Sequence, residues 1–236
     1  MWGTSPHSWL TRMGYKAMVA AFQLQVLSVE EFLGLDLPDN CEYELRDGMI
    51  VPMAEPSGRH ENLRSELMFV LKTESKRCQR SWLASSGSHL DLLVHPKPVL
   101  MLGPKDTRKP DLIAIDREDW RKQTEVESVL LKPPSVVIEI VSTNWEDDYR
   151  NKPLWYAAFG VSEYWIIEPL YHLDRYPGKK NPKIERPTIS IGALKESESI
   201  LVENEYQFRS FVEGEQIQSK VFPNLYLTVD EIMAFG

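Results

Sequence analysis

The positions of apolar and polar residues divide the chain into segments of two periods. Ser135-Val136-Val137-Ile138-Glu139-Ile140-Val141 and Asp111-Leu112-Ile113-Ala114-Ile115 are almost continuously apolar, each broken by one carboxylate. Strands without polar alternation are buried on both faces, so an ionised Asp111 or Glu139 there must be paired, protonated or bound to a cation. Between Ser57 and Arg80, Leu63, Leu67, Val70 and Leu71 recur at helical spacing, with Arg59, Arg64, Lys72, Lys76 and Arg77 on polar positions, which predicts an amphipathic helix. Ser28-Val29-Glu30-Glu31 and Thr228-Val229-Asp230-Glu231 are capping boxes that open short helices. Asp47-Gly48 supplies the positive φ angles of a tight turn between strands Cys41 to Arg46 and Met49 to Met53. Strands are also expected over His89 to Val94 and Glu163 to Ile167, with a helix over 145–159 that stops at Gly160. Beyond Pro169 the pattern weakens through Tyr171 to Tyr176 and a polar Pro/Gly/Lys loop to strands near Ile200 to Val202 and Tyr206 to Phe211. This order predicts an α/β fold with a mixed central β-sheet flanked by helices.

With 42% hydrophobic and 10% aromatic residues, the 236-residue chain can build a sizeable core, and no Gly/Ser or Pro-rich linker divides it. Cys41 and Cys78 lie outside any Cys-x-x-Cys or Cys/His cluster, which argues against a disulfide framework or structural zinc and for a reduced, cytoplasmic setting. Gln23 and Gln25 interrupt the apolar run Met18 to Leu27, no Ala-x-Ala site follows it, and no stretch reaches membrane-helix length, so no membrane partner is expected. A net charge of −8 disfavours nonspecific coating of nucleic acid, because phosphate affinity comes mainly from Lys and Arg. Residues 57–122 run against that balance, with 13 Lys and Arg against 9 Asp and Glu. That region can face phosphate, or ordinary surface charges have fallen unevenly.

Taken singly, each candidate residue has two readings. Asp111, straight after Pro110, is either a turn or cap acid or a strand-end ligand. Glu139, fifth in its apolar strand, calls for a buried ion pair or a hard cation such as Mg²⁺. Lys152 either orients a water nucleophile and offsets transition-state charge, or pairs with Asp148 four residues earlier. Glu44 reads by itself as a solvated hairpin residue. His60 has no second His at helical spacing and reads as a satisfied polar residue or a phosphate contact, not a zinc ligand. Pro153 favours a helix that begins there, which would set Lys152 at a helix entrance.

An Asp-bearing strand, a later Glu-bearing strand and then a helix with a basic residue resembles the layout of the PD-(D/E)xK nuclease superfamily, the restriction-endonuclease-like fold. More narrowly, the chain is similar to the Uma-type endonucleases. The residues that carry this are Tyr43-Glu44-Leu45-Arg46-Asp47-Gly48, His60, Lys109-Pro110-Asp111, Val137-Ile138-Glu139-Ile140-Val141-Ser142, Asp148 with Lys152, Tyr156, Gly160-Val161-Ser162-Glu163-Tyr164-Trp165 and Phe222-Pro223-Asn224-Leu225.

The resemblance implies that Asp111, Glu139 and the carbonyl of Ile140 ligate Mg²⁺, with Mn²⁺ as a substitute. It also implies that Lys152 takes the role of the superfamily lysine, whose usual place is occupied here by Val141, and that Glu44 joins Asp111, Glu139 and Lys152 as a catalytic acid. The implied activity is phosphodiester hydrolysis in DNA by a homodimer. The competing expectation is a catalytically inert nucleic-acid-binding or regulatory protein on the same fold. Residues 28–236 are expected to form the nuclease-like domain and 1–27 a partly disordered extension. Limited proteolysis is expected to trim 1–17 early, and protection of Trp2 to Tyr15 would show instead a packed segment.

Overall fold

The computed structural model describes residues 26–38, 41–82, 92–124, 129–174, 176–195 and 204–236; residues 1–25 of the extension expected over 1–27, residues 89–91 of the strand expected over His89 to Val94, and the strand near Ile200 to Val202 lie outside them. In chain order the elements are α1 (Val29–Leu33), β1 (Tyr43–Arg46), β2 (Met49–Pro52), α2 (Gly58–Trp82), β3 (Leu92–Pro96), β4 (Leu100–Gly103), β5 (Asp106–Arg108), β6 (Leu112–Asp116), α3 (Arg117–Thr124), β7 (Val136–Ile140), a π-helical turn (Asp147–Asn151), α4 (Lys152–Phe159), β8 (Glu163–Glu168), a 3₁₀ turn (Tyr171–Asp174), β9 (Thr188–Lys195), β10 (Glu205–Val212) and α5 (Val229–Met233). They belong to two compact units, residues 1–55 with 101–108 and residues 56–100 with 109–236.

In the smaller unit, Asp47 and Gly48 both have positive φ, 50° and 76°, as a two-residue hairpin between β1 and β2 demands. Residues 106–108 brace that hairpin. The Thr107 hydroxyl accepts the Leu45 N–H at 2.9 Å, and the buried Arg108 guanidinium donates to the Leu45 carbonyl at 3.0 Å. Ser28 and Glu31 form the reciprocal capping box expected of α1.

The larger unit is organised by a six-stranded sheet of order β10-β9-β8-β7-β6-β3. Only β7 and β8 run parallel, joined by the π turn and α4, and the remaining pairs are antiparallel. Every residue of β7 and of β8 is buried, Glu139, Glu163 and Glu168 included, as strands in the middle of a covered sheet must be. On one face Leu63, Leu67 and Leu71 of α2 pack with Leu112, Ile138, Ile140 and Trp165. Burying each leucine stabilises the fold by about 1.5–3 kcal/mol. Tyr164 alternates to the other face, where its ring meets Tyr156 of α4 at 5.2 Å and Tyr206 of β10 at 5.8 Å. Gly160 ends α4 in the left-handed conformation, φ 93°, with its N–H returned to Tyr156 and Ala157.

Besides its apolar contacts, a buried carboxylate ties the segment after β10 to the sheet. Glu163 accepts hydrogen bonds from Trp165 Nε1 at 3.0 Å, Ser219 Oγ at 2.7 Å and the N–H groups of Lys220 and Val221 at 2.5 and 3.1 Å. Removing it orphans four donors, each of which then carries its own desolvation cost. Glu163→Ala should therefore lower stability by about 3 kcal/mol in urea denaturation, and a loss within the ordinary surface range of about 0.5 kcal/mol would show that the segment is held by its apolar contacts instead.

Candidate active site

Strand register brings the two predicted acids together. β6 is antiparallel to β7 with Leu112 opposite Ile138, so Asp111 stands at the edge of the sheet beside Glu139 and Ile140. Asp111 Oδ2 accepts the Ile140 N–H at 2.8 Å. His60, in the first turn of α2 with its N–H capped by the Ser57 hydroxyl, places Nε2 3.3 Å from that same oxygen and 3.2 Å from the Ile140 carbonyl. Burial pushes the Asp111 carboxyl up, but the hydrogen bond and charge of His60, the Ile140 N–H and the charge of Lys152 together hold it below its ordinary value. His60 moves the opposite way, burial lowering it and Asp111 raising it further. The histidine is thus more than a satisfied polar residue. It fixes the orientation of the acid, and its partner lies 51 residues away in sequence, beyond any helical-spacing signal.

Lys152 enters from the β7–α4 connection. Its N–H bonds to the Asp147 carbonyl five residues back, the wide spacing of a π turn. Pro153 explains the widening. A proline has no N–H, and its ring would collide with the carbonyl four residues earlier in an α-helix. The carbonyl that continued π spacing would leave unpaired, that of Asp148, accepts the Tyr164 hydroxyl at 2.9 Å instead. Asn144 and Asn151 both donate side-chain amides to Asp147 at 2.6 Å and clamp the turn. α4 begins at Lys152, not at Pro153, and the ammonium turns inward: Nζ lies 2.7 Å from Asp148 Oδ1 and 3.0 Å from Glu139 Oε2. The pairing with Asp148 anticipated on an exposed helix face is a buried one.

Glu139 accepts in addition the Tyr156 hydroxyl on Oε1 at 2.7 Å. Even so its carboxyl is pushed up to about 8, first by burial and then by the charges of Asp111 and Asp148, against the lowering effect of Lys152 and Tyr156. Asp148 is raised for the same leading reason. Three carboxylates thus share one lysine and one histidine in a largely buried setting, and their joint ionisation would leave a negative charge that a further cation would offset. Hard carboxylate and carbonyl oxygens suit a divalent ion such as Mg²⁺ or Mn²⁺. Among the described residues no group of three His, Cys, Asp or Glu side chains is placed to hold a metal ion by itself. Asp111, Glu139 and the Ile140 carbonyl supply oxygens of the kind that an open site completed by water and phosphate uses. The Ile140 carbonyl already faces His60, which leaves it one further lone pair. Glu44, the fourth acid expected, belongs to the smaller unit, where it is buried, not solvated, and paired with Arg46 at 2.9 Å.

An acid at the entrance of β6 and another within β7, beside a lysine from the crossover between parallel strands, sit on a mixed sheet of the restriction-endonuclease-like fold. The family described as "Putative restriction endonuclease", Uma2, matches residues 29–230, and the chain belongs to that family. The fold is similar to that of a crystal structure described as a "putative nuclease belonging to DUF820" from Anabaena variabilis ATCC 29413, with a TM-score of 0.63 and 17% sequence identity, covering 89% of this chain and 98% of that one. Among curated proteins none matches. No helix among the described residues is long and apolar enough to cross a membrane.

The acid surplus has a pH signature. Because the folded-state value of Glu139, about 8, lies above its usual 4.5, folding disfavours its ionised form, and metal-free stability falls as pH rises from about 4.5 to about 8. Glu139→Gln should raise the Tm of metal-free protein at pH 8 and change it little at pH 4.5; an equal shift at both would show that Glu139 bears no charge penalty.

Proposed function

We propose that the protein is a divalent-metal-dependent endonuclease that hydrolyses phosphodiester bonds in DNA, using Mg²⁺ with Mn²⁺ as a substitute, and that it acts in the cytoplasm as a homodimer with one site for each strand. The observation that carries this reading is the Lys152 ammonium set between Glu139 and Asp148, with Asp111 alongside. Asp111, Glu139 and the Ile140 carbonyl would hold the ion. When bound, it would lower the pKa of a coordinated water and polarise the scissile phosphate. Lys152 supplies a fixed positive charge that orients the attacking water and offsets negative charge on the oxygens of the pentavalent transition state, and it does so in a low-dielectric setting where such a charge acts most strongly. Asp148 and the π turn hold that ammonium in place, Tyr156 fixes the Glu139 carboxylate, and His60 does the same for Asp111. Glu44 is included as an auxiliary acid only on the resemblance of its Tyr43-Glu44-Leu45 motif.

Supercoiled plasmid, single-stranded DNA and RNA incubated with and without Mg²⁺ or Mn²⁺ test the reading. Metal-dependent nicking of plasmid is expected, with Lys152→Ala slower by on the order of 10²–10³. Glu139→Ala should abolish both cleavage and the metal-binding heat in calorimetry. Cleavage by Glu139→Ala at the unmodified rate would sink the two-carboxylate site. Intact folding with neither metal binding nor cleavage would favour an inert binding module.

A further inference from the structure

The segment between β8 and β9 is a closed excursion from the active edge of the sheet. Its ends, Glu168 and Thr188, are partners in the β8–β9 ladder. Ile167 is the parallel partner of Ile140, and its carbonyl accepts the Val141 N–H at 2.8 Å, so the loop is rooted one strand spacing, about 4.8 Å, from the Ile140 carbonyl. A second tie runs to α2. Arg59, one residue before the histidine that holds Asp111, pairs with Asp174 at 3.0 Å, and its guanidinium lies 5.1 Å from the centre of the Tyr171 ring. Such an exposed ion pair contributes little to stability, so its interest is positional.

The loop has internal order. Glu168, wholly buried, accepts the N–H of Leu170, which is held at φ 63°. His172 Nε2 lies 2.8 Å from the Lys179 carbonyl, and the Tyr176 and Lys179 N–H groups close successive turns at 2.7 and 2.9 Å. Buried Asn181 accepts the Lys183 N–H through its side chain at 3.1 Å and the Ile184 N–H through its carbonyl at 3.0 Å.

What this framework displays is positive charge. Residues 176–187 contain Lys179, Lys180, Lys183 and Arg186 against the single acid Glu185, in a chain of net charge −8. Lys179, Lys183 and Arg186 are exposed, and none of the four cations has an acidic partner among the described residues. Lysines on a solvated surface are usually scattered among acids and carried on flexible turns. Here four cations stand on one hydrogen-bonded loop that leaves and rejoins the sheet next to the acid-bearing end of β7.

We propose that residues 176–187 form a contact for the sugar-phosphate backbone of the nucleic-acid substrate, an inference that rests on the nuclease reading of the adjoining site. The loop supplies affinity and register without base specificity, since lysine and arginine contacts to phosphate position a protein on a duplex but carry no sequence information. Tyr176, half exposed on the same loop, offers a ring against sugar or an unpaired base.

Binding of the full chain to a fluorescent DNA duplex in EDTA, across a series of salt concentrations, tests this without requiring turnover. Lys179→Ala, Lys180→Ala, Lys183→Ala and Arg186→Ala combined should weaken binding at least about tenfold at 0.1 M salt and reduce the slope of log K against log salt by about 0.9 for each phosphate that is no longer neutralised. A second variant, Lys179→Arg, Lys180→Arg and Lys183→Arg combined, keeps the charge and should retain the slope; equal weakening in that variant would mean that the loop fold, not its charge, was damaged and would overturn the proposal. An unchanged slope in the alanine variant overturns it, as does absence of binding by the unmodified protein. Loop-dependent binding with no cleavage under any metal removes the nuclease reading and leaves the surface standing, whereas cleavage and binding unaffected by the alanine variant do the reverse.

Discussion

Three carboxylates gathered around one ammonium, largely out of water, are the constraint on which the site depends. Asp111, Glu139 and Asp148 cannot all ionise there without help, and Lys152 reaches two of them directly. The surrounding groups divide the remainder. His60 and the Ile140 N–H favour the charge of Asp111, the Tyr156 hydroxyl favours that of Glu139, and Glu139 is nevertheless left close to neutral at physiological pH. Buried ion pairs of this kind are weak contributors to stability, because the desolvation of each charge opposes the attraction between them. Under the proposed function, this arrangement serves to receive a cation and not to brace the fold.

The sheet makes that concentration of charge possible. A parallel pair, β7 and β8, is reached only by a crossover, and the crossover brings Asp148 and Lys152 over the end of the strand that carries Glu139. The antiparallel pair β6 and β7 brings Asp111 to the same edge from the other side. The apolar layers beneath, with α2 on one face and the Tyr156, Tyr164 and Tyr206 rings on the other, exclude water from the acids above.

Much of this was legible in the residues. Glu139 and Asp111 stood out because a single carboxylate in a run of Val, Ile and Leu needs a reason, and the Asp47-Gly48 hairpin and both capping boxes follow from local chemistry alone. Other features depend on contacts distant in sequence. His60 found Asp111 through tertiary packing, and the inward turn of Lys152 relies on the Tyr164 hydroxyl taking a carbonyl that Pro153 cannot satisfy. α3 was missed because Arg117 to Thr124 is charged almost throughout and has no apolar stripe apart from Trp120, whose ring stacks on His95 at 4.3 Å. β9 was missed because Gly192 interrupts its apolar pattern; a Cβ there would come within 2.8 Å of the Phe208 ring, so the glycine permits the close approach of β10.

The π turn has a consequence of phase. One residue more than an α-helical turn requires is stored between Asp147 and Lys152, and each helical residue advances the azimuth by about 100°. Shortening this turn by a single residue would leave the composition of α4 intact while rotating its whole inner face past the sheet, carrying Tyr156 from Glu139 and the ammonium from the acids at once. The angular setting of the site is therefore recorded in a residue count and not in the identity of any one side chain, and it can be lost by a change that leaves every functional residue in the chain.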